Sequence, residues 1–186
     1  DHPRPEAVAA EFPVFVSGVS DPALEFIAGI PDTETGTADT RVEDGRLIVD
    51  LIPSPSGCRL DLGWAAVDPE GLDLAAYFGG ALRFSIKGPA KSDVRLLVES
   101  GGGMYRFGVS AEHQLILDGE WQRWTIPMRD LDVMIAPGRD FVRAVDPSRI
   151  TAPFKLSVFS TAPGRFEIKD VALSPIPVDG QQPSGM

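Results

Sequence analysis

The chain has 186 residues, enough for one domain that buries about 68–70% of the surface its unfolded form would expose. A formal charge of −10 and an isoelectric point near 4.6 repel phosphate backbones and anionic lipid, which argues against nucleic acid and membrane surfaces as partners. The single cysteine, Cys58, excludes an intramolecular disulfide and a multi-thiolate zinc site, while 19 Gly and 17 Pro favour short elements joined by turns.

In chain order, residues 1–11 (DHPRPEAVAAE) read as a linker-like flank without the apolar core of a signal peptide. Residues 12–176 form the single predicted domain, and residues 177–186, rich in Pro, Gly and polar groups, read as a flexible tail. Within the domain, apolar residues alternate with period two: Leu47, Val49, Leu51; Leu60, Leu62, Trp64; Leu82, Phe84, Ile86; Val94, Leu96, Val98; Tyr105, Phe107, Val109; Trp124, Ile126, Met128; and Phe154, Leu156, Val158. Each triplet is one face of a strand. The residues between them are mostly polar, among them Asp61, Arg83, Arg95 and Arg123, as antiparallel sheets with one wet face require.

Turn sequences punctuate these runs: EDG at 43–45, PSG at 55–57, GG at 79–80, GPAKSD at 88–93, GGG at 101–103, LDGE at 117–120 and APG at 162–164. The pattern predicts an all-β fold, an antiparallel β-sandwich of two sheets with about eight to ten strands. Only residues 68–78 (DPEGLDLAAYF) and 139–145 (RDFVRAV) hint at helix, each of about two turns at most. In the last strand the apolar parity changes, from even at Phe166 and Ile168 to odd at Val171 and Leu173, which predicts a β-bulge near Asp170.

Catalytic signatures are sparse. No G-x-S-x-G, H-E-x-x-H or phosphate-loop motif is present, and the only histidines are His2 and His113. Carboxylates are too numerous for a pair to mean anything. Cys58, between Gly57 and Arg59, reads as a small half-buried side chain, the alternative being a thiol activated by Arg59.

The run GEWQRWTIPMRDLD (119–132) holds two tryptophans that strand parity sends to opposite faces. Trp124 joins Ile126 and Met128 in the core, and Pro127 marks a strand end. Trp121 either seals the sandwich rim or stacks on a ligand. Exposed, it would stand with a polar row of Asp61, Arg83, Arg95, Tyr105 or Arg106, and Arg123. An aromatic beside planar hydrogen-bonding groups is what sugar recognition needs, because a ring packs on the pyranose C–H face while Arg and Asp satisfy hydroxyls.

The segments GLDLAAYFGGALRFSIKG, DVRLLVES, GEWQRWTIPMRDL, ITAPFKL and FEIKDVALSP resemble the strands of jelly-roll carbohydrate-binding modules with the galactose-binding-like fold. With EDGR (43–46), SGGG (100–103), APF (152–154) and KDVAL (169–173), the chain most resembles the ExoP-type C-terminal domain of bacterial family-three glycoside hydrolases, the glucan glucohydrolases.

That resemblance implies a non-catalytic accessory domain of a periplasmic or secreted polysaccharide-degrading enzyme, partnered by β-glucan or oligosaccharide and by adjacent catalytic domains. It also implies a structural calcium held by Asp170 together with an acid or carbonyl near the first strands, with Asp32, Glu34, Asp39 and Asp50 as candidates and Asp39 the first choice; the alternative is that Asp170 only accepts hydrogen bonds at a bulge. Two other readings stay open: a structural or protein-interaction sandwich with no sugar site, and a self-contained lyase or hydrolase. For the last, the irregular stretch from Asp132 to Ile150 is the expected seat of a site.

Overall fold

The computed structural model describes residues 10–31, 34–101, 109–133, 145–178 and 184–185. Among them are fourteen strands in two antiparallel sheets. The strands are β1 (Phe12–Val16), β2 (Val19–Ser20), β3 (Leu24–Gly29), β4 (Gly36–Glu43), β5 (Arg46–Pro53), β6 (Cys58–Ala66), β7 (Ala81–Lys87), β8 (Asp93–Ser100), β9 (Val109–Ile116), β10 (Gln122–Pro127), β11 (Asp132–Val133), β12 (Ile150–Ser160), β13 (Gly164–Ser174) and β14 (Ser184–Gly185). The first sheet runs β14-β10-β7-β13-β1-β2, with β5 also on β13 and β4 on β5; the second runs β11-β9-β8-β12-β6-β3. The expected β-sandwich is therefore the observed fold.

Alternation explains the layers. Every predicted apolar triplet among the described residues is buried: Leu47, Val49 and Leu51 on β5, Leu60, Leu62 and Trp64 on β6, Leu82, Phe84 and Ile86 on β7, Val94, Leu96 and Val98 on β8, and Phe154, Leu156 and Val158 on β12. Trp124, Ile126 and Met128 complete the set at 6%, 0% and 4% exposure. The triplet of Tyr105, Phe107 and Val109 has no described side chains.

An aromatic stack ties the two sheets together. Phe15 of β1 stacks on Trp64 of β6 at 5.0 Å and 25° between ring planes, and Phe26 of β3 tilts against Trp64 at 5.4 Å. Phe154 of β12 lies 5.9 Å from Trp64, and Phe84 of β7 meets Phe154 edge-on at 5.1 Å. The path thus runs first sheet, second sheet, first sheet. The Trp64 indole N–H donates to Ser20 Oγ at 2.8 Å, so its polar atom is satisfied despite burial.

β13 is long enough to serve two neighbours on one edge. Its first half pairs with β5 over Gly164–Ile168 and its second half with β1 through Val171, Ala172 and Leu173, while β7 takes the other edge. The changeover is the predicted bulge: the β7 register shifts between Lys169 and Ala172, and Asp170 sits at φ 56°. Asp tolerates this left-handed conformation better than most residues.

The expected helix over 68–78 contracts to a single 3-10 turn, Ala75–Tyr77. Gly71 at φ 85° breaks any helical path, and Leu72 is held extended by reciprocal backbone bonds with Ile150 at 2.8 and 2.9 Å. The other helical hint, 139–145, lies outside the described residues except for Val145, which is irregular.

Cys58 is fully buried, not half-buried, and burial first, with Glu34 second, pushes its thiol upward. Both effects run opposite to the activation by Arg59 that the sequence left open. The Phe154→Ala variant is expected to lose about 3–5 kcal/mol of stability, read as a lower urea midpoint at unchanged m. A loss below about 1 kcal/mol would show that the aromatic stack does not hold the sheets together.

Candidate functional site

The predicted polar row is divided between the two outer faces of the sandwich. On the first sheet, Arg123, Ser85 and Lys169 lie in register across β10, β7 and β13, and Thr125, Arg83 and Ala172 form the next row. Arg83, Arg123, Asp170 and Glu11 rim a depression of about 240 Å³, and Arg83 pairs with Glu11.

Parity separates the tryptophans as expected. Trp124 is in the core, its indole N–H donating to Gln122 Oε1 at 3.2 Å. Trp121 is half-buried, with the Lys169 ammonium 4.5 Å from its ring centroid. A cation above a ring face occupies the surface on which a sugar would stack. Lys169 thus covers one face of the Trp121 ring.

Farther along the same sheet the outer face is a lattice of ion pairs. Asp50 on β5 accepts from Arg165 Nε at 2.7 Å and from Arg41 Nη1 at 2.8 Å, and Arg41 also reaches Asp39 at 3.4 Å and Glu43 at 3.3 Å. Arg46 pairs with Glu167 at 3.0 Å. The two guanidiniums, Arg165 first and then Arg41, hold the Asp50 carboxyl down at about 2.

Asp39 and Asp170, the expected calcium pair, are not brought together. Asp39 faces Asp50, which faces Arg165, and Asp170 lies five residues along β13 from there, roughly 16 Å at strand spacing. Among the described residues no three His, Cys, Asp or Glu side chains converge as a metal-holding group. Asp32 lies outside the described residues.

The second sheet presents a different surface. Asp61 on β6, Ser157 on β12, Arg95 on β8 and Gln114 on β9 stand in one cross-strand row. One flanking row is Gly63, Lys155, Leu97 and Glu112, and the other is Arg59, Phe159, Asp93 and Ile116. The ion pairs here are looser: Arg59 Nε to Asp61 Oδ2 is 3.5 Å and Arg95 Nη1 to Glu112 Oε2 is 3.9 Å, with Lys155 to Glu99 at 3.1 Å, while the Arg59 backbone N–H donates to Glu34 Oε2 at 2.6 Å. The Arg95 side chain is 53% exposed, leaving donors for a ligand.

Of the six expected sugar-contacting residues, Asp61 and Arg95 share this face, Arg83, Arg123 and Trp121 lie on the opposite one, and Tyr105 lies outside the described residues. Sequence parity tells inside from outside but not one sheet from the other. Ser157, Lys155 and Phe159 were legible in principle, being the complement of the buried Phe154, Leu156, Val158 triplet. Gln114 and Glu112 were not, because β9 carries no long apolar alternation. The stretch from Asp132 to Ile150 is mostly outside the described residues.

The fold is shared with carbohydrate-binding modules of several families. The family 11 module from Clostridium thermocellum, solved in complex with a β-1,3-1,4-mixed-linked tetrasaccharide, is 12% identical with a TM-score of 0.64, over 92% of this chain and 99% of that one. The family 11 module of a cellulosomal cellulase of the same organism is 15% identical at a TM-score of 0.62, over 93% and 99%. A family 29 module variant complexed with cellulohexaose is 12% identical at 0.50, over 91% and 94%. No family model matches the chain, and no curated protein does. The likeness to carbohydrate-binding modules thus stands on the fold, whereas the narrower ExoP-type resemblance stands on sequence motifs alone.

The depressed Asp50 carboxyl makes a pH prediction. Its folded value of about 2 lies below the ordinary 3.8, so the stabilisation is complete above pH 4 and is lost as pH falls toward 2. The wild-type melting temperature should therefore drop more steeply between pH 4 and pH 2 than that of Asp50→Asn; parallel curves would show that the Arg41–Asp50–Arg165 pairing adds nothing.

Proposed function

We propose that the chain is a non-catalytic carbohydrate-binding module of a polysaccharide-degrading glycoside hydrolase, and that it holds neutral β-glucan across the outer face of the second sheet. The observation that carries this reading is the row of Asp61, Ser157, Arg95 and Gln114, four polar side chains in register on an open face. The fold neighbours lend support, since two of them were solved with β-glucan oligosaccharides bound.

Chemistry selects a neutral ligand. Around the row, Arg59, Lys91, Arg95 and Lys155 are balanced by Asp61, Asp93, Glu99 and Glu112, so the face has little net charge of its own. The chain's charge of −10 disfavours a polyanionic glycan at long range. A carboxylate, a hydroxyl, a guanidinium and an amide supply both donors and acceptors to sugar hydroxyls. The ExoP-type motifs favour a glucan glucohydrolase of the periplasm or extracellular space as the parent enzyme, with the module placing its catalytic domains on the substrate.

Affinity electrophoresis in gels containing mixed-linkage β-glucan, laminarin or a soluble cellulose should retard the protein. Arg95→Ala should weaken binding at least about tenfold, the worth of a charge-assisted hydrogen bond, while Arg83→Ala on the opposite face should leave it unchanged. Migration unaffected by all three polymers would overturn the reading.

A further inference from the structure

One end of the second sheet carries a feature that the polar row does not use. The terminal row, Arg59, Phe159, Asp93 and Ile116, abuts a groove of about 340 Å³ between residues 89–93 and 159–163. Phe159 is 47% exposed and is the most exposed aromatic side chain among the described residues. Its ring presents an apolar, planar surface to solvent directly beside the groove.

The ring is held and not loose. Gly57, at φ 87°, brings the main chain so close that a Cβ there would lie 2.8 Å from Phe159 Cζ and 3.1 Å from Ser160 O. The groove walls are fixed as well: Ser92 N donates to Pro89 O at 3.2 Å and Lys91 N to Leu117 O at 3.0 Å, while Ala162 N donates to Ser160 Oγ at 3.2 Å. Lys91 sits at φ 64°, a conformation uncommon outside glycine that the surrounding bonds maintain.

We propose that this groove is a stacking subsite for one pyranose ring of a neutral glycan, with Phe159 as its platform and Lys91, Asp93, Thr161 and Arg59 as hydroxyl partners. The proposal rests on the glycan-binding reading above and deepens it. A volume of about 340 Å³ is at the small end of ligand pockets, a size suited to a small ring. Two cations, Arg59 and Lys91, stand against two acids, Asp61 and Asp93, so no ion of either sign is selected. A ligand with an apolar face and a hydroxylated rim matches both the exposed ring and the polar surround. The polar row lies two residues along the strands, roughly 7 Å away, so one chain of sugars can engage both.

The test is calorimetric titration of the full chain with the β-1,3-1,4-mixed-linked tetrasaccharide and with cellohexaose, comparing wild type, Phe159→Ala, Phe159→Tyr and Ala162→Trp. Ala162 is an exposed turn residue, so the tryptophan fills the groove without touching the core. Phe159→Ala and Ala162→Trp should each weaken binding about tenfold or more, and Phe159→Tyr should bind like wild type. If the wild type binds while both disruptive variants bind equally well, the subsite is overturned and the polar row stands. If the wild type binds neither sugar, the whole glycan-binding reading falls and the subsite with it. Concentration-dependent dimerisation that Phe159→Ala abolishes in sedimentation would also overturn it, by assigning the ring to a second copy of the chain.

Discussion

The stack of Phe15, Trp64, Phe154 and Phe84 is the constraint from which the exterior follows. These four rings couple β1, β6, β12 and β7, with centroid separations of 5.0–5.9 Å. Because successive strand residues point to opposite faces, fixing Trp64 inward fixes Gly63, Asp61 and Arg59 outward. Fixing Phe154 inward does the same for Lys155, Ser157 and Phe159. A one-residue slip of β6 would bury Asp61 and expose Leu62, a penalty that pins the register. The polar row is therefore the reverse side of the core.

The two outer faces spend their charges differently. On the first sheet Arg41 and Arg165 are committed to Asp50 at 2.7–2.8 Å, Arg83 pairs with Glu11, and Lys169 lies over one face of the Trp121 ring. Short charge-assisted bonds of this kind leave little capacity for a ligand. On the second sheet, Arg59 and Arg95 stand 3.5 and 3.9 Å from their acids, separations at which the hydrogen bonds are weak or unmade. Groups that are partly satisfied by one another can exchange those contacts for hydroxyls at small cost. That difference, and not composition, distinguishes the faces.

How much of this was legible beforehand depended on the range of the interaction involved. Inward positions on β5, β6, β7, β8, β10 and β12 follow from alternation alone, and so does the bulge at Asp170, because a parity change in one strand must be absorbed locally. The grouping of Asp61 and Arg95 apart from Arg83 and Arg123 depends on which strands pair, and pairing of β12 with β6 joins residues nearly a hundred positions apart. Local pattern carries no information about such partners. The helix expected over 68–78 failed for a related reason, since Leu72 is held by Ile150, a distant strand end that periodicity cannot register.

Function in this architecture is forced to the surface. The space between the sheets is occupied by aromatic rings in contact, so a ligand must be met by an outer face or by loops at a sheet end. The second sheet offers both in continuity: a row of exchangeable polar groups and, one row beyond, a backed aromatic beside a groove. A saccharide needs that combination, because its ring faces shed water while its hydroxyls must not lose their partners. Such a shallow, charge-balanced surface favours modest affinity and tolerance of ligand length over tight enclosure.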